Sequence, residues 1–217
     1  MEITWLGHAA FRLSQRGKAT VVTDPYDPRV AGYKALRTRA DVVTVSQPHP
    51  AHHYVKGLRG VQRVLDRPGE YEIGDVFIIG IQLTPRKKKI DPLKEPRVLF
   101  TFDYDGLLIA HLGALDRVPS QSEIEAIGPI HVALVPVGGG PYLNASAAAE
   151  VVSLLEPNIV IPMAYRTPGS TMKDLAPVDR FLKEMGISQV QPRPSLKLRA
   201  SQVPNETQVV VLEAPTA

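Results

Sequence analysis

Three histidines fall within five residues in Ser46-Gln47-Pro48-His49-Pro50-Ala51-His52-His53. The segment follows Val42-Val43-Thr44-Val45, an apolar, β-branched run that reads as a buried strand. The imidazoles therefore sit where a strand gives way to a loop, a common location for chemistry. Two chemistries are open to them: ligation of a divalent metal, and proton transfer near neutral pH. The chain has no cysteine, so thiolate ligands and disulfides are excluded, and a transition metal could be held only by His, Asp or Glu. His49 and His52 lie three apart and can share one face of a short turn. A single zinc or manganese ion there would need help from Gln47, His53 or a carboxylate such as Asp24. The competing reading makes both imidazoles hydrogen-bonded remnants with no metal. His53 fits the start of a helix or loop better than a ligand.

The elements around this loop are mostly β in the first half. Ile3 to Trp5, Ala10 to Leu13 and Thr20 to Thr23 read as strands, with Gln15-Arg16-Gly17-Lys18 as a turn. Strand-like runs recur at Val42 to Val45, Gln62 to Leu65, Val76 to Leu83, Val98 to Tyr104 and Leu107 to His111, the last two joined by the tight-turn pair Asp105-Gly106. Helical patterning comes later. Ser120 to Ile127 opens with a capping-box pattern, Ala145 to Leu155 is alanine-rich with apolar residues at helical spacing, and Pro177 to Met185 ends at Gly186. His131 to Val137, Asn158 to Met163 and Gln208 to Leu212 complete the strands. Long β blocks followed by β-α units imply an α/β architecture of two packed sheets with helices outside.

At 217 residues the chain suits one domain, taken as 1–217. No run approaches the roughly eighteen apolar residues of a membrane span, and the N-terminus enters a strand without a charged-then-apolar leader, so the chain reads as soluble and cytoplasmic. The one dense charge cluster is Arg86-Lys87-Lys88-Lys89. It reads first as a solvated loop; the sharper reading is an anion contact, while the lack of interleaved aromatics argues against nucleic acid.

Seven phrases occur in order from Met1 to about Tyr165: Trp5-Leu6-Gly7-His8-Ala9, Val22-Thr23-Asp24-Pro25, the loop Gln47 to His53, Asp66-Arg67-Pro68-Gly69-Glu70-Tyr71, Ala110-His111-Leu112-Gly113, Leu134-Val135-Pro136-Val137-Gly138-Gly139 and Ile161-Pro162-Met163. Together they resemble the metallo-β-lactamase superfamily, within it the small branch of ascorbate-phosphate-lactonase-like proteins. The resemblance implies a four-layer αβ/βα sandwich with its site in a cleft where the two sheets meet. It also implies two metal ions activating a hydroxide for attack on an ester, lactone or phosphodiester, since a divalent ion lowers the pKa of bound water from near 16 to about 7.

The ligand positions implied by the resemblance are mostly filled by other residues. Gln47 stands for the first histidine of the loop and Ala51 for its aspartate, leaving His49 and His52. Pro85 falls at the next histidine, Ala114 at the bridging aspartate and Ala164 at the last histidine. An amide is a poor zinc donor, and alanine and proline offer no side-chain donor. The expected cofactor is therefore none, or at most zinc or manganese at a single weak site on His49 and His52.

The leading expectation is a metallo-β-lactamase-fold protein that has lost the dinuclear centre and acts as a binding or structural homologue. The alternative is a mononuclear or metal-free hydrolase of a phosphodiester, lactone or other ester using His49 and His52. Cleft residues expected beside them are His8, Asp24, His53 and Tyr165. Arg166, with Arg86 to Lys89, is a candidate for binding a small anionic ligand. His111 reads as a satisfied core histidine, and Gly138-Gly139-Gly140 as a turn or a close backbone approach. Nucleic acid and membrane are not expected partners; a homo-oligomer is compatible with the family.

Overall fold

The computed structural model describes residues 1–84 and 97–215. Within them the strands form two sheets. The first contains β1 (Glu2–Gly7), β2 (Ala10–Ser14), β3 (Val21–Thr23), β4 (Val42–Thr44), β5 (Arg63–Leu65) and β12 (Leu196–Lys197), in the order β12-β1-β2-β3-β4-β5. The second contains β6 (Gly69–Ile73), β7 (Val76–Gln82), β8 (Val98–Tyr104), β9 (Leu107–His111), β10 (Val132–Pro136), β11 (Ile159–Met163) and β13 (Gln208–Val209), in the order β13-β11-β10-β9-β8-β7-β6.

Local sequence explains both kinds of pairing. β1 and β2 form an antiparallel pair whose register sets Ile3 opposite Leu13 and Trp5 opposite Phe11. All four are buried, so alternation along each strand aims one face at the other sheet. β8 and β9 are joined by Asp105 and Gly106, both at positive φ, the backbone that a two-residue hairpin with matching twist requires. β3, β4 and β5 run parallel, as do β9, β10 and β11. β10 (VALVP) and β11 (IVIPM) are buried throughout, as the unbroken apolar runs of interior parallel strands must be.

Helices α2 (Gln121–Ile127), α3 (Ala145–Leu155) and α4 (Asp179–Glu184) pack outside the second sheet; α2 contacts β7, while α3 contacts β10 and α4. On α3 the buried stripe is Ala148, Val151, Val152 and Leu155, and Asn144 caps its start by accepting from the Ala147 N–H. The layer outside the first sheet is thinner. It consists of α1 (Pro28–Ala31) and long loops that bury Tyr26, Tyr33 and Leu36 in one cluster and Ala40 with Val43 and Val45 in another. The expected four-layer sandwich is present, with α1, β6 and β12 beyond the elements anticipated. The third anticipated helix starts at Asp179 rather than Pro177, and the last strand is confined to Gln208–Val209 with an isolated bridge at Leu212. No helix of the described residues is long and apolar enough to cross a membrane.

The capping box of α2 also ties the second sheet to its helix. Ser120 Oγ accepts from the Glu123 N–H, while Glu123 accepts from the Ser120 N–H at 2.7 Å, the Thr84 N–H at 3.0 Å and both terminal nitrogens of Arg117 at 2.6 and 2.8 Å. Burial opposes ionisation of Glu123, yet the Arg117 and backbone hydrogen bonds outweigh it and hold the carboxyl at about 2, against 4.5 ordinarily. A lowered carboxylate pKa contributes stability that is fully present above 4.5 and is lost as pH falls towards about 2. Glu123→Gln should therefore flatten the decline in stability over that window. Urea titrations of both proteins at pH 6 and pH 3 would check this, with the gap between them narrowing at the lower pH.

Candidate functional site

The carboxyl ends of the parallel strands meet at one edge of the sandwich, the place where open α/β sheets present ligand-binding residues. Asp24 follows β3, Ser46 lies two residues beyond β4, His8 follows β1, and Gly138 and Ala164 lie just beyond β10 and β11. Three of these residues, His8 (φ 50°), Asp24 (φ 38°) and Ala164 (φ 51°), adopt left-handed backbone although none is glycine. Such conformations cost about 1–3 kcal/mol each and persist only where surrounding contacts enforce them. At Ala164 the enforcing contact is its N–H donating to the His8 carbonyl at 3.0 Å. At Asp24 it is the N–H donating to the Thr44 carbonyl at 2.8 Å.

Asp24 is wholly buried and is the hub of the site. Its Oδ1 accepts from the Ser46 N–H at 2.7 Å; its Oδ2 accepts from Ser46 Oγ at 2.6 Å and from His52 Nδ1 at 2.7 Å. Burial works against its charge, but the His52 imidazole beside it and these hydrogen bonds prevail and keep the carboxyl below its ordinary range. Because Nδ1 of His52 faces a carboxylate, that nitrogen carries a proton and Nε2 is aimed the other way. There it meets the hydroxyl of Tyr142 at 2.9 Å, and the same hydroxyl lies 2.9 Å from His8 Nε2. A phenol donates once and accepts as well, so it can serve one imidazole as donor and the other as acceptor. The result is a continuous buried chain, Ser46–Asp24–His52–Tyr142–His8.

Tyr142 reaches this position on a turn that depends on glycine. Gly139 has φ 70°; its N–H donates to the Leu143 carbonyl at 2.8 Å, and its own carbonyl accepts from the Tyr142 N–H at 3.1 Å. Gly113 is the other position where a side chain is excluded: a Cβ would lie 2.4 Å from the Ser46 Cβ, so the end of β9 can approach the Asp24 hub only as glycine. Burial pushes the Tyr142 phenol up and His8 well down from their ordinary values, favouring the neutral form of both.

His49 lies at the surface of the same loop. Its carbonyl accepts from the His52 and His53 N–H groups at 2.8 and 2.9 Å, and its Nδ1 accepts from the Ala51 N–H at 3.2 Å. Its ring centre is 6.5 Å from that of His52. Partial burial, then the neighbouring His52 and Arg97, lower its pKa. Arg97, half-buried, donates to the Ala114 carbonyl at 3.1 Å and also favours ionisation of Tyr142 by its field.

The expected site residues separate into those the fold gathers and those it does not. His8, Asp24 and His52 come together, with His49 beside them. His53 is exposed, and Gln47 is half-buried beside His49, its carbonyl accepting from the His49 N–H. Tyr165 is buried against Trp5, ring centres 5.0 Å apart, and Arg166 is exposed, its N–H donating to the Ala176 carbonyl. Pro85 and the cluster Arg86, Lys87, Lys88 and Lys89 lie outside the described residues. His111 is buried as expected and its Nε2 donates to the Ala9 carbonyl at 2.8 Å, but its Nδ1 has no partner among the described residues, so it is only half satisfied. His131 accepts from the Leu108 N–H at 3.0 Å. Tyr142, Ser46 and Arg97 were not anticipated as site residues.

Among the described residues, the side chains at this edge do not fit a dinuclear centre. Ala51, Ala114 and Ala164 are buried and carry no donor, and Nε2 of both His8 and His52 is spent on the Tyr142 hydroxyl. No group of three or more His, Cys, Asp or Glu among the described residues is placed to hold a metal.

Comparison with known proteins gives a consistent picture of ancestry. The sequence profile of the β-lactamase superfamily domain matches residues 2–164. A crystal structure from Thermotoga maritima, named as a candidate Zn-dependent hydrolase of the metallo-β-lactamase superfamily, is 38% identical and superposes with a TM-score of 0.77 over 98% of each chain. A metallo hydrolase from Ignicoccus hospitalis shares the fold at 18% identity, with a TM-score of 0.66 over 91% of this chain and 99% of that one. A UPF0173 metal-dependent hydrolase from Pyrococcus abyssi is 26% identical over 195 residues, covering 77% of this chain and 85% of its own.

Replacing Asp24 by alanine leaves the Ser46 N–H, the Ser46 hydroxyl and His52 Nδ1 without their common acceptor, and should cost about 3–5 kcal/mol of stability, read by denaturant unfolding. Acid should act in the same direction. His8 and His111 have folded pKa values lowered below 6.5, chiefly by burial, so their contribution is present above that value and is lost as pH falls beneath it. Melting temperatures measured from pH 8 to pH 5 should fall below about 6.5.

Proposed function

Because the chain belongs to the metallo-β-lactamase superfamily, we propose that it keeps the family's cleft but does not carry out two-metal hydrolysis, and that it serves as a binding or structural homologue. The observation that carries this reading is the lodging of the Tyr142 hydroxyl 2.9 Å from both His8 and His52, so that imidazoles at the cleft are bonded within the protein. The alanines at 51, 114 and 164 add to it. A dinuclear site needs roughly three protein ligands per ion to anchor it and generate hydroxide.

The relatives named above are called metal-dependent hydrolases, so the decisive measurement is metal content together with turnover. Protein purified without chelator should hold fewer than two ions per chain by elemental analysis. It should also show no zinc- or manganese-dependent hydrolysis across phosphodiesters, lactones and thioesters. Two stoichiometric ions with metal-dependent turnover would overturn the reading.

One observation favours a second reading, a metal-free hydrolase. The Asp24–His52 pair has the orienting geometry of a carboxylate that fixes a general base, with a hydroxyl at the base's other nitrogen. On that reading hydrolysis survives chelation and disappears in His52→Ala.

A further inference from the structure

Away from the cleft, where β1 begins and β2 ends, we infer that the outer face of the first sheet carries a second site: a groove for a small molecule bearing several linked phosphate groups. Strand alternation builds it. Ile3 pairs in register with Leu13 on one side and Leu196 on the other, and all three side chains enter the core. Their chain neighbours Glu2, Arg12, Ser14 and Lys197 therefore project from the opposite face. On β1 the apolar clusters of the outer layer engage only Leu6, at the cleft end of the strand. At its other end an open groove of about 1300 Å³ remains, bordered by the β8–β9 turn and by the segment after β12.

The charges lining this groove are not balanced. Arg12, Arg16, Lys197 and Arg199 supply cations, and Glu2 and Asp105 supply carboxylates. Both carboxylates are already engaged. Asp105 is paired with Lys18 at 2.7 Å, while Glu2 accepts from Ser195 Oγ at 2.7 Å and has Lys197 Nζ 3.9 Å away. The three arginines have no ion-pair partner among the described residues. Arg12 is half-buried, and its Nη1 donates to Ser14 Oγ at 3.0 Å, which holds the guanidinium against the sheet.

Ligand class follows from residue type and placement. Guanidinium groups are weakly hydrated and bind phosphate oxygens through paired N–H donors. Here they come from three segments: Arg12 from β2, Arg16 from the turn after it and Arg199 from the stretch after β12. Linked phosphates can span such a set, whereas a single small anion meets only part of it. Positive charges gathered in a concave surface also raise the local concentration of anions. Tyr104, the one aromatic residue among the described lining, is buried with its hydroxyl donating to the Leu13 and Ala19 carbonyls. No ring is left on which a base could stack, which favours a compact phosphate-rich molecule over single-stranded nucleic acid.

Calorimetric titration of the full chain with inorganic tripolyphosphate tests the site, at about 0.15 M salt to screen diffuse surface attraction. Orthophosphate and an oligouridylate serve as comparison ligands. Tripolyphosphate should saturate at one molecule per chain and bind about tenfold or more tightly than orthophosphate. Arg12→Gln and Arg199→Gln should each weaken it several-fold. Arg180→Gln, which removes the same charge from the exposed face of α4, should leave it unchanged. Melting temperatures verify that the variants are folded, and Arg199→Gln, at an exposed residue, carries the test alone if Arg12→Gln is not. Absence of saturable tripolyphosphate binding would overturn the inference. Equal weakening by Arg180→Gln would overturn it too, by reducing the attraction to net charge. Tighter binding of the oligouridylate would make the groove a nucleic-acid track and refute the ligand class. Metal content and hydrolysis at the cleft bear on the proposed function alone, so the two readings fail separately.

Discussion

Everything at the cleft depends on one buried carboxylate. Asp24 lies between the ends of β3 and β4 with no water-facing surface, and a charge so placed is tolerable only with its oxygens fully engaged. Ser46 engages both oxygens, through its N–H and its hydroxyl, and His52 engages one of them. Meeting that demand fixes the loop after β4, because Ser46 and His52 must both turn back towards β3. The loop is locked from outside too: the Asp27 N–H donates to the Pro50 carbonyl and the Tyr54 N–H to the Pro25 carbonyl. Sequence order, strand ends and the ionised Asp24 are thus aspects of one constraint.

The same constraint gives the strained backbone its meaning. A left-handed residue between sheet and loop turns the chain sharply and throws its side chain towards the opposite sheet. His8 does this from the first sheet, and Ala164, whose N–H binds the His8 carbonyl, turns the chain at the matching place in the second. The two sheets are therefore joined at the site edge by hydrogen bonds from both sides, including the Tyr142 hydroxyl, which comes from the loop after β10 and meets His8 and His52 of the first sheet. Elsewhere the sheets meet mainly through apolar packing of residues such as Phe11, Phe100, Phe102 and Ile109, with the Tyr104 hydroxyl of β8 reaching the Leu13 and Ala19 carbonyls.

Much of the fold could be read from the residues because local rules and the tertiary structure agree there. Ala145 to Leu155 has the alanine content and apolar spacing of a helix and is one; Asp105-Gly106 supplies the backbone its hairpin needs; Ser120 and Glu123 form the capping box their spacing suggests. β6 escaped notice because Gly69–Ile73 is an edge strand with two exposed glutamates and no continuous apolar face, and α1 because it is only four residues long. The site was half legible. His8, Asp24, His49 and His52 stand in recognisable phrases, but Tyr142 follows a glycine-rich turn and has no local signal of its role. Its partners are 90 and 134 residues away, and only the packing of the two sheets brings them within reach.

The pattern of residues at the cleft is physically coherent because Asp24 is, among the described residues, its only wholly buried carboxylate. A second carboxylate buried beside it would share its site, and like charges so placed raise one another's pKa at the expense of stability. Ala51 and Ala114, both buried, add no charge there. One negative charge remains, held by Ser46 and His52 and joined through His52 to a phenol and a second imidazole. The arrangement of one carboxylate, two imidazoles and one phenol is closed on itself: burial favours the neutral phenol and the neutral His8, so a single charge needs neutralising, and the tyrosine hydroxyl fills the gap between the histidines.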